Sequence, residues 1–208
     1  MLKKLLLSIL SIASLTVFSQ WQTTPITSTG YDVISGFGNV YAAGAVTNAC
    51  DITTTDGATW SSSNTGYAPG LYFGTFYSNS LYACKGTTIS VRTSATGPWS
   101  AMTNTFSGNN NVMSMTAMTG TVLAAVNNIV ALNWRVNEYN GSAWVAKGAS
   151  ISGQVACIRN LNGTLFAGTT STCVMKSNDA GATFTNSSSG ISTAATFDRY
   201  IICLGATP

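Results

Sequence analysis

The sequence predicts an all-β chain with the fold of a β-propeller, an array of four-stranded blades. Three observations lead to this prediction. A phrase that ends in an aromatic residue recurs about every forty residues, a second phrase keeps step with it, and β-branched residues and turn glycines fill the intervals. We expect about four to five blades in this chain and an incomplete ring.

The first repeated phrase reads Ser-Asn-Asp-Ala-Gly-Ala-Thr-Phe at residues 177–184. A version one residue shorter occupies residues 54–60, and two weaker versions without the aspartate end at tryptophans. Spacings of 39, 45 and 40 residues separate the four aromatic markers, which are Trp60, Trp99, Trp144 and Phe184. This period is typical of propeller blades.

The second phrase places small residues after an apolar one, as in Leu165-Phe166-Ala167-Gly168. Spacings of 41, 41 and 43 residues separate its apolar positions, which are Val40, Leu81, Val122 and Leu165. Two independent phrases with one period indicate a true repeat. Small residues are expected in strands that crowd the axis of the array.

Each unit is predicted to contain four short strands. In the last unit the first strand covers residues 155–161, and Asn162-Gly163 predicts a tight hairpin turn into a second strand. The other first strands are predicted at 71–77 and 112–118. The second, third and fourth strands of the last unit are predicted at 165–168, 173–177 and 183–186. No helical period occurs after the N-terminal segment.

The phrase at residues 177–184 resembles the Asp-box, also called the bacterial neuraminidase repeat. This motif occurs in the propellers of sialidases, some xyloglucanases, sortilin-like receptors and photosystem assembly factors. The resemblance covers roughly residues 20–195 and implies a propeller fold, but it implies no single activity because the hosts share only architecture.

The resemblance also implies a structural role for the residues of the motif. In an Asp-box the aspartate accepts hydrogen bonds from the turn, the glycine permits a positive φ, and the aromatic residue packs back into the blade. We therefore expect a structural rather than catalytic role for ten residues, which are Thr54, Asp56, Gly57, Thr59, Trp60, Ser177, Asp179, Gly181, Thr183 and Phe184.

Residues 1–19 are predicted to be a cleaved secretory signal peptide. Lys3 and Lys4 precede an apolar run over residues 5–17 that is too short for a stable membrane anchor, and cleavage is expected near Ser19. The mature protein, residues 20–208, is then expected in the periplasm, at the cell surface or outside the cell. No transmembrane segment is predicted in it.

Residues 20–208 form the predicted propeller domain, and we interpret them as a fragment of a longer propeller. Trp21 reads as a lone fourth strand, whereas the segment after residue 195 has room for one strand of the blade that Trp21 would complete. The alternative is a closed ring of four blades with a spare strand.

Charge and composition exclude several kinds of function. The chain has 9 basic and 6 acidic residues, and the basic ones are not clustered, which argues against nucleic-acid binding. There is no histidine, so a Ser-His-Asp or Cys-His triad is impossible. The five cysteines include no CxxC pair and are interpreted as small buried strand residues. We predict no cofactor, no metal site and no catalytic residue.

The sialidase resemblance does not extend to a catalytic set. Sialidases use three arginines, a Tyr–Glu pair and an acidic proton donor, whereas this chain has four scattered arginines and Glu138 as its one glutamate. Strand alternation places Arg135 and Asn137 on one face and Glu138 on the other. The sequence leaves open whether the chain is an enzyme, but the missing catalytic set favours a protein without catalytic activity.

The leading functional hypothesis is an exported, non-catalytic scaffold that binds a protein or a carbohydrate. One alternative is a sialidase-like glycoside hydrolase whose catalytic residues lie outside this chain, and a second is an assembly factor, by fold analogy. The candidate ligand contacts are Trp134, Tyr72 and Arg135, because the two aromatic residues occupy no marker position. The competing interpretation for each is packing within the blades or a solvated strand face.

Overall fold

The structure, a computed structural model, describes residues 30–44, 50–53, 59–63, 65–66, 73–103, 106, 108 and 110–191. The predicted signal peptide, Trp21 and the segment from residue 192 onward lie outside these ranges. So do Tyr72 and the turn residues Thr54, Asp56 and Gly57.

The described residues form four antiparallel sheets of four strands each, one for every predicted repeat unit. Blade 1 contains β1 (Gly30–Gly36), β2 (Asn39–Gly44), β3 (Cys50–Thr53) and β4 (Ser61–Ser62). Blade 2 contains β5 (Phe73–Tyr77), β6 (Ser80–Lys85), β7 (Thr88–Arg92) and β8 (Ser100–Ala101). Blade 3 contains β9 (Asn110–Met118), β10 (Thr121–Asn128), β11 (Asn133–Tyr139) and β12 (Trp144–Lys147). Blade 4 contains β13 (Val155–Leu161), β14 (Thr164–Thr169), β15 (Val174–Ser177) and β16 (Thr185–Asn186).

Every blade is a meander, because its strands pair in the order of the sequence. The first strands contact one another in succession, β1 against β5, β5 against β9 and β9 against β13. The first strands therefore line the axis and the short fourth strands lie at the periphery, which is the architecture of a propeller. The predicted all-β fold of four-stranded blades is confirmed.

Hydrophobic core fills the spaces between successive blades, and blade 3 is buried on both faces because it has a neighbour on each side. All six central residues of β10 are buried. The apolar ones that face blade 2 join one cluster, with Cys84, Ile89 and Met115, and the apolar ones that face blade 4 join another, with Val136, Ile158 and Leu165. A third cluster around Tyr41 and Leu81 joins blades 1 and 2.

Four predicted strand boundaries in blade 4 were wrong. β14 (Thr164–Thr169) extends one residue beyond the predicted 165–168 at each end, and the third and fourth strands begin later than predicted for local reasons. β15 begins at Val174 and not at Cys173, since Cys173 has a φ of 58° that a strand cannot contain. β16 begins at Thr185 and not at Thr183, because the N–H of Thr183 is donated to the carboxylate of Asp179.

In blade 4, the turn at residues 177–184 is held by hydrogen bonds to a carboxylate. Asp179 Oδ1 accepts the N–H of Thr183 at 2.9 Å and the hydroxyl of Ser177 at 2.7 Å, while Oδ2 accepts the hydroxyl of Thr183 at 2.5 Å. These bonds, those from Thr183 first, lower the pKa of Asp179 to about 2. Gly181 has a φ of 92°, and a Cβ at this position would lie 3.3 Å from Val136 Cγ1 of blade 3. The turn is thus held by its own hydrogen bonds and lies close to the neighbouring blade.

In blade 2, the equivalent turn is held by a cation. Strand register pairs Leu81 with Arg92 as it pairs Leu165 with Ser177, so Arg92 occupies the position of Ser177. The Arg92 guanidinium donates to the carbonyls of Ser94 at 3.2 Å and Gly97 at 2.5 Å, both within the turn. In this weak copy of the motif, the guanidinium of Arg92 donates to the turn, whereas in blade 4 the carboxylate of Asp179 accepts from it.

In blade 3, the turn between β11 and β12 is three residues shorter than the turn between β15 and β16 of blade 4, and it is held by an amide. Asn140 Oδ1 accepts the N–H groups of Ser142 at 3.0 Å and Ala143 at 2.9 Å. The three described turns thus occupy one place in the repeat and use three different side chains.

Candidate functional site

The meander gives the propeller two chemically different ends. The first-to-second and third-to-fourth strand turns lie at one end, called here the turn end. The second-to-third strand loops and the blade connections lie at the other, called the loop end. Three cavities among the described residues occupy the turn end, the axis and the loop end.

The loop-end cavity is a groove of about 330 Å³ on the face of blade 3 that turns toward blade 2. We call it the blade-3 groove. Strand alternation and register place its lining on one face of all four strands of the blade, since Asn110 pairs with Asn128, Asn128 with Asn133 and Asn137 with Ala146. Its lining residues are Phe106, Asn110, Val126, Asn128, Asn133, Arg135, Asn137, Trp144 and Ala146.

Arg135 is the charged residue of the blade-3 groove. Its Nε donates to Asn133 Oδ1 at 2.8 Å. Within the described part of the chain, its two Nη groups make no hydrogen bond and the residue has no ion pair. The guanidinium is therefore oriented by one amide while most of its donors stay available in the groove.

Trp144 lines the same groove and carries a buried donor without an acceptor. Its ring contacts Phe106, with centroids 5.8 Å apart, and Tyr139, with centroids 5.4 Å apart. Among the described atoms, Trp144 Nε1 has no hydrogen-bond partner. A buried donor left unpaired costs about 1–3 kcal/mol, so such groups mark places where a polar ligand or water can bind.

The loop between β10 and β11 forms the rim of the groove and exposes three large apolar side chains. Ile129, Val130 and Leu132 are 53%, 70% and 66% exposed. Asn128 Oδ1 accepts the N–H groups of Val130 at 3.2 Å and Ala131 at 2.8 Å, which fixes the loop backbone. We call residues 129–132 the apolar loop. It presents aliphatic surface to solvent from a hydrogen-bonded backbone.

The axial cavity, of about 310 Å³, is lined by the first strands of all four blades and contains Arg159. Arg159 Nη1 donates to Ile158 O at 2.9 Å and to Ser114 Oγ at 3.3 Å. Because Ser114 belongs to β9 and Arg159 to β13, the guanidinium joins two blades. Its geometry indicates a structural link at the axis.

The turn-end cavity, of about 270 Å³, is lined by Tyr77, Tyr82 and Tyr139 together with Glu138. Glu138 forms an ion pair with Lys147, with 2.7 Å between Oε2 and Nζ. Burial raises the pKa of Tyr82. The described side chains place no second carboxylate in this cavity, and within the described residues no three His, Cys, Asp or Glu form a group that could hold a metal ion.

The structure separates the three candidate ligand contacts predicted from the sequence. Arg135 lies in the blade-3 groove. Trp134, its neighbour on β11, faces the opposite way and packs half-buried against the cluster between blades 3 and 4. Tyr72 lies outside the described residues. The ligand-contact assignments of Trp134 and Tyr72 stay predictions.

Sequence reasoning missed the partners that surround Arg135. The repeat marks Trp144 only as a packing position, and neither the asparagine row nor the apolar loop belongs to either repeated phrase. The signal for the apolar loop is the run Ile-Val-Ala-Leu at residues 129–132, flanked by asparagines. Turns between two strands are usually polar, so an apolar run at this position is unusual.

The fold is similar to those of solved propeller structures. YCF48 bound to D1 peptide matches with a TM-score of 0.55 at 13% identity, over 79% of this chain and 55% of that chain. The extracellular domain of BT4673 from B. thetaiotaomicron matches with a TM-score of 0.61 at 12% identity, over 80% and 23%. The WD40 propeller domain of Doa1 matches with a TM-score of 0.55 at 14% identity, over 83% and 57%. The chain therefore has a β-propeller fold and spans about half of the YCF48 chain.

No protein-family model and no curated protein matches the sequence. In the described ranges, the structure contains no helix that is long and apolar enough to cross a membrane.

Proposed function

We propose that this chain is a non-catalytic propeller that binds a partner protein through the loop end of blade 3. The observation that carries the proposal is the apolar loop, in which Ile129, Val130 and Leu132 are all more than half exposed. Aliphatic side chains held out by an ordered backbone gain free energy when a partner covers them.

A protein partner suits this surface better than a neutral carbohydrate. Sugars bind through hydroxyl–amide hydrogen bonds and flat aromatic faces, whereas branched aliphatic side chains bury best against other apolar side chains. The amides of the blade-3 groove match the N–H and C=O groups of an extended peptide. By fold analogy, YCF48, whose structure holds D1 peptide, supports a peptide-binding role.

We also propose that the chain works outside the cytoplasm after cleavage near Ser19, and that its turns belong to the Asp-box class. The motivation for export is the charged and apolar pattern of residues 1–19. N-terminal sequencing of the protein from its native host tests this directly. A mature protein that begins after residue 19 is expected, and a cytoplasmic protein that retains Met1 would contradict export.

The binding proposal is tested by selecting short random peptides, displayed on phage, against the purified mature chain. In the loop variant, Ile129→Thr and Val130→Thr remove aliphatic surface, and Leu132→Asn suits the φ of 48° at that position. The matched control removes three exposed apolar side chains elsewhere, as Val145→Thr, Leu161→Thr and Ile191→Thr.

We expect peptides with apolar residues to be selected by the wild type and the control, and the loop variant to bind them about tenfold more weakly or worse. A wild type that selects no peptide, or a control that loses binding as the loop variant does, would contradict the proposal. Release of sugar from a glycoside by the purified chain would favour the hydrolase alternative.

A further inference from the structure

We infer that the blade-3 groove binds a carboxylate of the partner peptide on Arg135. The carboxylate is that of an Asp or Glu side chain or of a peptide C-terminus, with apolar residues beside it that cover the apolar loop. This inference rests on the proposed function and names the chemistry that the groove recognises.

Charge complementarity is the first argument. Arg135 is the charged group in the lining of the groove, and the described part of the chain offers no carboxylate to neutralise it. Glu138 lies on the other face of β11 and is paired with Lys147. A guanidinium fixed through Nε presents its Nη groups for the two parallel hydrogen bonds that a carboxylate accepts.

The surplus of donors in the groove is the second argument. Trp144 Nε1 is buried without an acceptor among the described atoms, and indole can only donate. An oxygen-rich ligand that reached Nε1 would satisfy this donor as well as the guanidinium, whereas a second cation or an apolar ligand would satisfy neither. The tilted contact between Phe106 and Trp144 supplies an apolar wall.

The register of the sheet is the third argument, because it joins the groove to the apolar loop. Asn128 and Asn133 pair with each other, both line the groove, and they bracket residues 129–132. A peptide that fills the groove therefore meets the aliphatic side chains of the loop within a few residues. An isolated anion would use only the groove.

The experiment uses peptides selected by the wild type, each synthesised with its acidic residue changed to the matching amide and with a free or amidated C-terminus. Their affinities are measured for the wild type, Arg135→Gln and Arg135→Lys, with thermal unfolding as the check on folding. The free and amidated termini identify which carboxylate is bound.

We expect the change from acid to amide to weaken binding to the wild type about tenfold, and Arg135→Gln to remove that preference. Arg135→Lys should keep a reduced preference for the acidic peptide, and added salt should weaken the wild-type complex more than the Gln complex. The thermal midpoints of the three proteins should agree.

Failure of this inference is distinguishable from failure of the proposed function. If selected peptides need the apolar loop but tolerate the change from acid to amide, only the carboxylate assignment is overturned. If the wild type selects no peptide, the peptide-binding function and the carboxylate assignment are both overturned. If oligogalacturonate, an acidic glycan, binds the wild type and not Arg135→Gln while peptides do not bind, the peptide assignment is overturned.

Discussion

Arg92 and Arg135 lie on the third strands of adjacent blades and have opposite surroundings. Arg92 is 2% exposed, donates to Ser63 Oγ at 2.6 Å and to two turn carbonyls, and stacks against Tyr41 and Trp99. Arg135 is half-buried in a groove and donates to Asn133. The Arg92 guanidinium makes its hydrogen bonds within the fold, whereas the Nη groups of Arg135 make none among the described residues and are available to a ligand.

The repeat therefore determines where a residue lies but not what the residue does. Arg92 stands where blade 4 has Ser177, and it holds its turn by donating to carbonyls, while Asp179 holds the corresponding turn by accepting N–H and O–H groups. Opposite charges thus serve one architectural purpose. An arginine at a repeat position gains functional meaning only when its hydrogen bonds are known.

Removing the buried arginine should have the largest effect. Arg92→Met leaves Ser63 Oγ and the turn carbonyls without their donor and should lower the free energy of unfolding by about 3 kcal/mol or more. Arg135→Met is the control and should change it by less than about 0.5 kcal/mol. Urea unfolding measures both. Equal losses in the two variants would show that the contrast between the arginines is false.

The two marker tryptophans of blades 2 and 3 differ in the same way, with a smaller expected effect. Trp99 Nε1 donates to Ser63 O at 3.0 Å, whereas Trp144 Nε1 has no acceptor within the described residues. Both Trp→Phe changes lose ring area, but only Trp99→Phe breaks a hydrogen bond. Trp99→Phe should therefore destabilise the chain by about 1–2 kcal/mol more than Trp144→Phe. The opposite order in urea unfolding would contradict the assignment of these donors.

The turns of blades 4 and 2 should differ in their response to acid. The folded pKa of Asp179, about 2, lies below the ordinary value of 3.8, so its stabilising contribution is present above pH 3.8 and is lost as pH falls toward 2. The turn of blade 2 is held by a guanidinium and not by a carboxylate, so acid should leave it unaffected.

The cause of that pKa shift can be tested with one hydroxyl. Thr183→Val removes the first of the bonds that lower the Asp179 pKa and should move it upward, while Thr183→Ser keeps the hydroxyl and should leave it low. Carbon-13 NMR of the carboxyl group measures the titration. An unchanged pKa in Thr183→Val would place the cause elsewhere.

The sequence predicts the blades because two phrases with one period report both strand position and packing. The small residues of the second phrase lie in second strands, and the buried Ala124 and Ala125 of β10 face different neighbours. Strand alternation likewise predicts that Arg135 and Asn137 share one face of β11, and both line the blade-3 groove.

The candidate site is less predictable, because it depends on contacts between strands and between blades. Trp144 repeats the position of Trp99, yet one indole meets a carbonyl of the preceding blade and the other has no acceptor among the described atoms. The row of Asn110, Asn128 and Asn133 comes from three strands and becomes visible only with their register. Trp134 stands out in the sequence as an aromatic residue outside the markers, but its packing between blades is a property of the assembled core.

The indole N–H signals of the protein report whether the blade-3 groove receives an acceptor from a peptide partner. The chain has five tryptophans, so nitrogen-15 labelling gives five resolvable signals that Trp→Phe variants assign. On addition of a selected acidic peptide, the Trp144 signal should shift downfield as its N–H gains an acceptor, and the Trp99 signal should stay in place. A Trp144 signal that does not move at saturating peptide would show that no acceptor from the peptide reaches this donor.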